Sequence, residues 1–388
     1  MSERTLADYV TLQRGNTYKS SLLGDEGPVL LGLASIQKHG GFKETNLKRY
    51  AGPSDPRILL KPGDIYVSLK DVTQAAYLLG AVSRVPDNIG EGRLTQDTVK
   101  LHFIDSDAPR EYFYWILRTP QYREYCLAHS TGTTNLALSR SDFLSFPIPP
   151  LTVDRKRCVD LLEDIEKKID LNRRTNETLE AMARAVFKSW FVDFDPVHAK
   201  AAGKAPAHMD AETAALFPDA FGEDGLPVGW EVSTVGDEVT VVGGSTPSTK
   251  QPEYWEGGTH HWATPKDLSD LGSTVLLSTA RKLTDAGVAK ISSGLLPAGT
   301  LLMSSRAPIG YLAISEVPVA VNQGFAAMKC EGRLSQHYML IWCQMNQELV
   351  LSKANGSTFL EISKSNFKSL PVLVPDAGTR DAFDRFAG

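Results

Sequence analysis

Residues Gly132 to Ile148 align without a gap on Gly356 to Val372, and this internal repeat constrains the fold more than any other feature of the chain. Upstream, Leu59 to Ser68 matches Leu295 to Ser304, and Thr5 to Asp8 matches Thr234 to Asp237, in the same order but with drifting offsets. A common framework with loops of unequal length produces such drift, because loops are where domains tolerate change. Two homologous units follow, residues 1–150 and 228–375. In each, short apolar runs broken by Pro-Gly or Ala-Gly turns (58–68 and 294–304) read as strands, and residues 112–127 and 335–351 have helical length and spacing. The expected fold class is α+β, two homologous domains joined by a long coiled-coil-forming helix.

Between the units the pattern changes. Asp154 to Val192 contains neither Gly nor Pro, and Asp195-Pro196 stops it, which predicts one helix within residues 151–195. Leu162, Ile165, Ile169, Asn172, Asn176, Leu179, Ala183, Val186 and Trp190 follow a 3,4 spacing, the seam of a coiled coil that needs a partner helix. On such a seam a buried Asn weakens packing and fixes register, so the partner is expected to offer polar groups opposite Asn172 and Asn176. Residues 196–227, rich in Ala, Gly, Pro, Asp and Glu, read as a linker or ragged surface insertion. Residues 376–388 align with the start of the long helix and read as the truncated start of a second, distal one. An uncovered seam leaves self-association open to the chain.

Composition narrows the class. Apolar residues make up 42% and charged residues 22% of the chain, enough apolar material for two cores. No apolar run is long enough to cross a membrane and no leader opens the chain, so a cytoplasmic protein is expected. Cys126, Cys158, Cys330 and Cys343 form no Cys-x-x-Cys pair, and His198 and His208 have no third ligand nearby, so neither disulfides nor a metal site is expected. Net charge is −5, with no strongly basic segment. A nucleic-acid binder must therefore carry its cations on one face or one set of loops. Nucleotide loops, the hydrolase elbow, the zinc-protease pattern and the Asn/Asp-Pro-Pro-Phe/Tyr tetrapeptide of amino-methyltransferases are all missing, so no catalytic residues and no cofactor are assigned. Asp193 and Asp195 read as helix-exit carboxylates.

The loops offer more. Gly243 to Lys250 combines glycines, hydroxyls and a cation, with Thr246, Ser248 and Lys250 as candidate DNA contacts and Tyr254-Trp255 following; its counterpart carries Asn16, Tyr18 and Lys19. Ser305-Arg306 and Lys70 each follow an apolar strand, and Lys266 lies in a turn. Cations leaving rigid strands suit guanine edges or phosphates. Gly132 to Asn135 and Gly356 to Phe359 read equally well as turns whose hydroxyls cap the next segment. A non-DNA coiled-coil scaffold is the alternative.

The two units, the helix sequence Leu171 to Arg184 and its exit Phe187-Lys-Ser-Trp-Phe-Val-Asp-Phe-Asp-Pro196 together resemble the specificity subunit of Type I restriction-modification systems, with weaker support from Leu226 to Trp230 and from residues 305–310. The resemblance implies that each unit is a target recognition domain for half of a bipartite double-stranded DNA sequence. It further implies a non-catalytic subunit whose helices space the domains and dock modification (methyltransferase) subunits. S-adenosylmethionine, ATP and Mg would then belong to those subunits and to a restriction/translocase subunit.

Overall fold

In the computed structural model, which describes residues 4–133, 135–356 and 360–388, the chain divides into two units, residues 1–172 and 173–388. The first contains an antiparallel sheet in the order Val10–Arg14, Thr98–Phe103, Ile65–Ser68, Val82–Arg84. The second repeats that order with Thr240–Val242, Phe325–Lys329, Thr300–Ser305 and Ile309–Ser315, and adds Val275–Leu276 at the edge. Each unit also has a parallel pair outside this sheet, Leu23–Leu31 with Gly92–Leu94 and His260–Ala263 with Val319–Val321, and the added edge strand Val275–Leu276 pairs in parallel with Ile309–Ser315. The α+β class and the long helix between two sheet-rich regions are as the sequence indicates.

The most repetitive sequence has a structural cause. Ser139 and Ser363 cap the short helices Arg140–Leu144 and Lys364–Lys368 by accepting the amides of Asp142 and Asn366. Phe143 and Phe367, four residues on, are fully buried, as are Leu138 and Ile362 just before each cap. The chain then returns to the beginning of its unit. Leu6 N donates to Phe146 O and Val235 N to Leu370 O, both at 2.9 Å. In each unit a capped turn follows, with Asp8 accepting from Thr5 N at 2.8 Å and Asp237 from the Thr234 hydroxyl at 2.6 Å.

Three expectations change. Residues 112–127 form two helices, Arg110–Ile116 and Pro120–Ala128, because Pro120 cannot continue the first but suits the opening turn of the second, where Thr119 caps Tyr122 N. Residues 335–351 likewise divide, at Asn346, into Gln336–Met345 and Gln347–Ser352. Residues 196–227 are not a loose linker. They form helices Asp195–Ala201 and Ala211–Leu216, and Val197 and Phe217 are buried in the core of the second unit, where the polar composition conceals them.

The long helix runs Val153–Phe191. In the first unit, Arg84 binds Glu163 at 3.0 Å and Glu166 at 2.6 Å, Trp115 donates its indole N–H to Glu163, and Arg118 and the Tyr114 hydroxyl donate to Glu166. In the second unit the attachment is aromatic: Phe187 and Phe191 pack on Tyr338 and Phe383, and Trp190 on Phe217. Phe383 belongs to helix Ala377–Ala387, within the segment expected to begin a distal helix. Among the described residues, no helix is long and apolar enough to cross a membrane.

The cap motif gives a graded test by urea denaturation. Phe367→Ala is expected to cost roughly 3–5 kcal/mol and Ser363→Ala about 1 kcal/mol, whereas Lys364→Ala, on the exposed side of the same turn, is expected to stay within about 0.5 kcal/mol of the parent.

Candidate nucleic-acid interface

The ladder registers make the loops of the two units comparable residue by residue. Arg14 pairs with Val99 and Ser68 with Thr98; Val242 pairs with Ala327 and Ser304 with Phe325. Gly15 is thereby equivalent to Gly244, and Lys70 to Arg306. Glycine is required at the first pair for space. A Cβ at Gly15 would lie 2.2 Å from Thr95 O, and one at Gly244 would lie 1.6 Å from Val321 O. Each loop crosses against the end of the neighbouring strand and carries the candidate residues away from it.

In the second unit these loops meet around Asn322-Gln323-Gly324. The Thr246 hydroxyl donates to Gln323 Oε1 at 2.7 Å, Asn322 N to Ala263 O at 3.1 Å, and Ser305 N to Gly324 O at 2.8 Å. A Cβ at Gly324 would lie 3.0 Å from the Pro265 ring, so the short helix Pro265–Ser269, which bears Lys266 where the sequence suggested a turn, packs there as well. Thr246, Lys266 and Ser305-Arg306, far apart in sequence, are thus gathered at one turn. Lys266 and Lys250 are exposed, and Ser248 is exposed with its carbonyl accepting from the Trp255 indole at 3.1 Å. Ser305 differs from expectation: it is 4% exposed, because it still belongs to the Thr300–Ser305 strand, and it supports the loop from below instead of facing outward. Arg306 pairs with Glu361 at 3.7 Å.

Tyr254 and Trp255, read from sequence as part of the contact chemistry, serve the loop's support. Trp255 and Trp262 pack edge to face at 5.0 Å, their indoles donate to Ser248 O and Ser245 O, and the Arg281 guanidinium lies 3.5 Å from the Trp255 ring centre. Burial, and then Lys282, push the His261 imidazole below its ordinary range. Its Nδ1 accepts from Thr279 N at 3.3 Å. Sequence reading missed Arg281, whose only signal was a cation in a strand opposite a tryptophan.

The first unit organises its loop differently. Arg93 is buried and stacks 4.7 Å from the Tyr50 ring; its guanidinium donates to Ser54 Oγ, Leu94 O, Thr17 O and Asn16 Oδ1. Asn16 is thus occupied on one side while remaining exposed. Tyr18 and Lys19 are exposed, Tyr18 lying edge-on to Tyr50 at 6.2 Å. Lys70 pairs with Asp97 at 3.1 Å. Lys70 also bridges Ala137, while Arg306 bridges Glu361, residues matched by the gap-free repeat. Thr134 and residues 357–359 of the two hydroxyl turns lie outside the described residues; Thr133 O accepts from Gln74 Nε2 at 3.1 Å.

The helix seam divides. Leu162, Ile165, Ile169, Asn172, Asn176 and Leu179 are exposed, whereas Ala183 and Trp190 are buried and Val186 is half-buried against the core of the second unit. The last third of the seam is covered within its own unit, by Phe217 and Phe383 among others. Among the described residues no group of three His, Cys, Asp or Glu side chains is placed to hold a metal ion.

Arg93→Ala is expected to leave Thr17 O and Leu94 O without their donor, at about 1–3 kcal/mol for each carbonyl that stays buried. Faster amide exchange confined to the loop around residues 15–19 and its supporting strand would show it.

Residues 227–381 match the family described as the Type I restriction modification DNA specificity domain. The chain is 39% identical over 152 residues to the Type I restriction enzyme MjaIX specificity subunit of Methanocaldococcus jannaschii, a match covering 39% of this chain and 35% of that relative. It is 26% identical over 314 residues to the HindI specificity subunit of Haemophilus influenzae, covering 68% and 67% of the two chains. The crystal structure of a Type I restriction-modification S subunit from M. genitalium shares the fold, with a TM-score of 0.53 at 15% identity over 100% of this chain and 88% of that one.

Proposed function

We propose that the chain is a specificity subunit of a Type I restriction-modification system, like the relatives it matches, and that its two units each read one half of a bipartite double-stranded DNA target. Residues 1–150 and 228–375 are the two target recognition domains, and the long helix between them is spacer and docking surface. The observation that carries this reading is the equivalence of the two loop sets: the same crossing glycine, the same strand-exit cation and the same bridge partner, carried by different side chains. Two readers built on one frame give two different half-sites.

In this reading the chain is not an enzyme. It directs S-adenosylmethionine-dependent methylation by modification subunits and ATP- and Mg-dependent restriction by a translocase subunit. The exposed part of the seam, Leu162 to Leu179, is the docking side of the helix for a partner helix. Cations confined to loops suit a subunit whose partners supply further phosphate contacts. The work is cytoplasmic, where the DNA is.

Mapping methylated positions in cells that express the complete system tests the proposal directly; a motif with one continuous block would refute it. Lys70→Ala and Arg306→Ala are expected to relax opposite halves of the motif, each by about 1–3 kcal/mol of discrimination if the cation contacts a base edge. Uniform weakening with a shallower salt dependence would assign the cation to phosphate.

The seam makes a separate prediction. Ile165→Asp and Ile169→Asp, at exposed positions, are expected to leave the chain's own stability within about 0.5 kcal/mol and to reduce assembly with partner subunits, read by size-exclusion chromatography with light scattering.

A further inference from the structure

Glutamine stands at one equivalent position in both units. Ser68 pairs with Thr98 and Ser304 with Phe325, so Gln96 and Gln323, each two residues before its strand partner, correspond. The turns themselves, Thr95-Gln-Asp-Thr98 and Asn322-Gln-Gly-Phe325, share no other residue. Both glutamines are exposed, whereas Thr95 and Thr98 beside the first and Gly324 and Phe325 beside the second are buried.

Each turn is rigid by a different device. In the first unit Thr95 N donates to Thr98 Oγ1, Thr98 N returns to Thr95 O, both at 3.2 Å, and Gln96 O accepts from Arg14 Nε at 2.9 Å. In the second, Gly324 N donates to Asn322 Oδ1 at 2.8 Å, and Ser305 N holds Gly324 O. The strand-exit cation lies close in both. Lys70 pairs with Asp97, next to Gln96, and Arg306 follows Ser305, whose amide holds the residue next to Gln323.

The Gln323 amide is also oriented. Thr246 Oγ1 donates to its Oε1 at 2.7 Å, which occupies one lone pair of this exposed side chain and leaves the other, with both Nε2 protons, for a ligand. An acceptor beside a donor on one planar group matches the N6 and N7 edge of adenine in the major groove. A rigid, exposed turn tip supplies the fixed geometry that such a bidentate contact needs.

We propose that Gln96 and Gln323 are paired specificity-determining residues, each reading an adenine edge in the half-site of its own unit, and that Thr246 is a positioning residue for Gln323. The proposal rests on the reading that each unit recognises one half of a bipartite target. Thr246, singled out by sequence as a DNA contact, acts here through its neighbour.

The test is methylated-position mapping with the complete system. The unmutated chain must give a bipartite motif; if it does not, the proposed function fails, and this inference with it. Given that motif, Gln323→Ala is expected to lower the preference for adenine at one position of one half by roughly 5- to 150-fold, and Gln96→Ala to do the same in the other half. Gln323→Glu keeps the size of the side chain but only accepts, so the same position is expected to move toward cytosine. Thr246→Val is expected to broaden that position and Thr246→Ser to restore it. Unchanged motifs in both alanine variants, or equal weakening at every position, would overturn the glutamine assignment while leaving the bipartite reading intact.

Discussion

Each unit depends on the closure of its last segment onto its first. The bonds Leu6 N to Phe146 O and Val235 N to Leu370 O join residues that are far apart in sequence. They stand beside a capped turn on one side and a capped, phenylalanine-anchored helix on the other. A backbone bond by itself contributes only about 0.5–1.5 kcal/mol. Its importance here is geometric. With the two ends of the unit fixed to each other, the loops between strands hang from a closed frame and can change length without changing where they start or finish. The drifting offsets of the repeat record that freedom.

The long helix is held by unlike chemistry in the two units. Its first half is bound through Glu163 and Glu166, which face Arg84, Arg118 and the indole and hydroxyl donors of Trp115 and Tyr114. Most of these groups are part-buried, so the pairs are satisfied from several sides, and removing one partner would leave a charge poorly solvated. Its last turns are bound by aromatic rings with centres 4.8–6.3 Å apart around Phe187 and Phe383. Burial without directional bonds tolerates small rotations, whereas bidentate carboxylate contacts do not. The apolar positions Ile169, Leu171 and Leu179 fall between these attachments and are exposed, as are Leu162 and Ile165 beside the first.

Sequence reading went furthest where one residue type served one local purpose. The Gly- and Pro-free stretch gave the long helix to within one residue at each end. The repeat pointed to a framework shared by the two sheet-rich units, because its strongest segment is a cap and a buried phenylalanine, both local in cause. It gave less where contacts are long-range. Ser305 looks like its neighbour Arg306 in sequence, yet strand membership buries it. Residues 196–227 look like a linker by composition, yet a few apolar residues, Val197 and Phe217 among them, are enough to fold them onto a core. Gln96 and Gln323 were invisible as a pair, since their turns share nothing else and only the ladder register brings them into line.

That register also shows how one frame can carry two different loop sets. Lys70 and Arg306 occupy the same backbone position, but Lys70 is held by Asp97 from the adjacent turn and Arg306 by Glu361 from the neighbouring segment. Glu361 corresponds to Ala137, which has no carboxylate, and Asp97 corresponds to Gly324, which has no side chain. The counter-ion has moved from one side of the cation to the other while the backbone contact, Lys70 to Ala137 and Arg306 to Glu361, has stayed. A half-open ion pair contributes little to stability, so exchanging its partner costs the fold little. It does change the direction in which the cation is presented. Divergence of this kind alters what a loop can contact without disturbing the closure on which the unit depends, and it is the freedom that a protein needs if its two halves are to recognise different sequences.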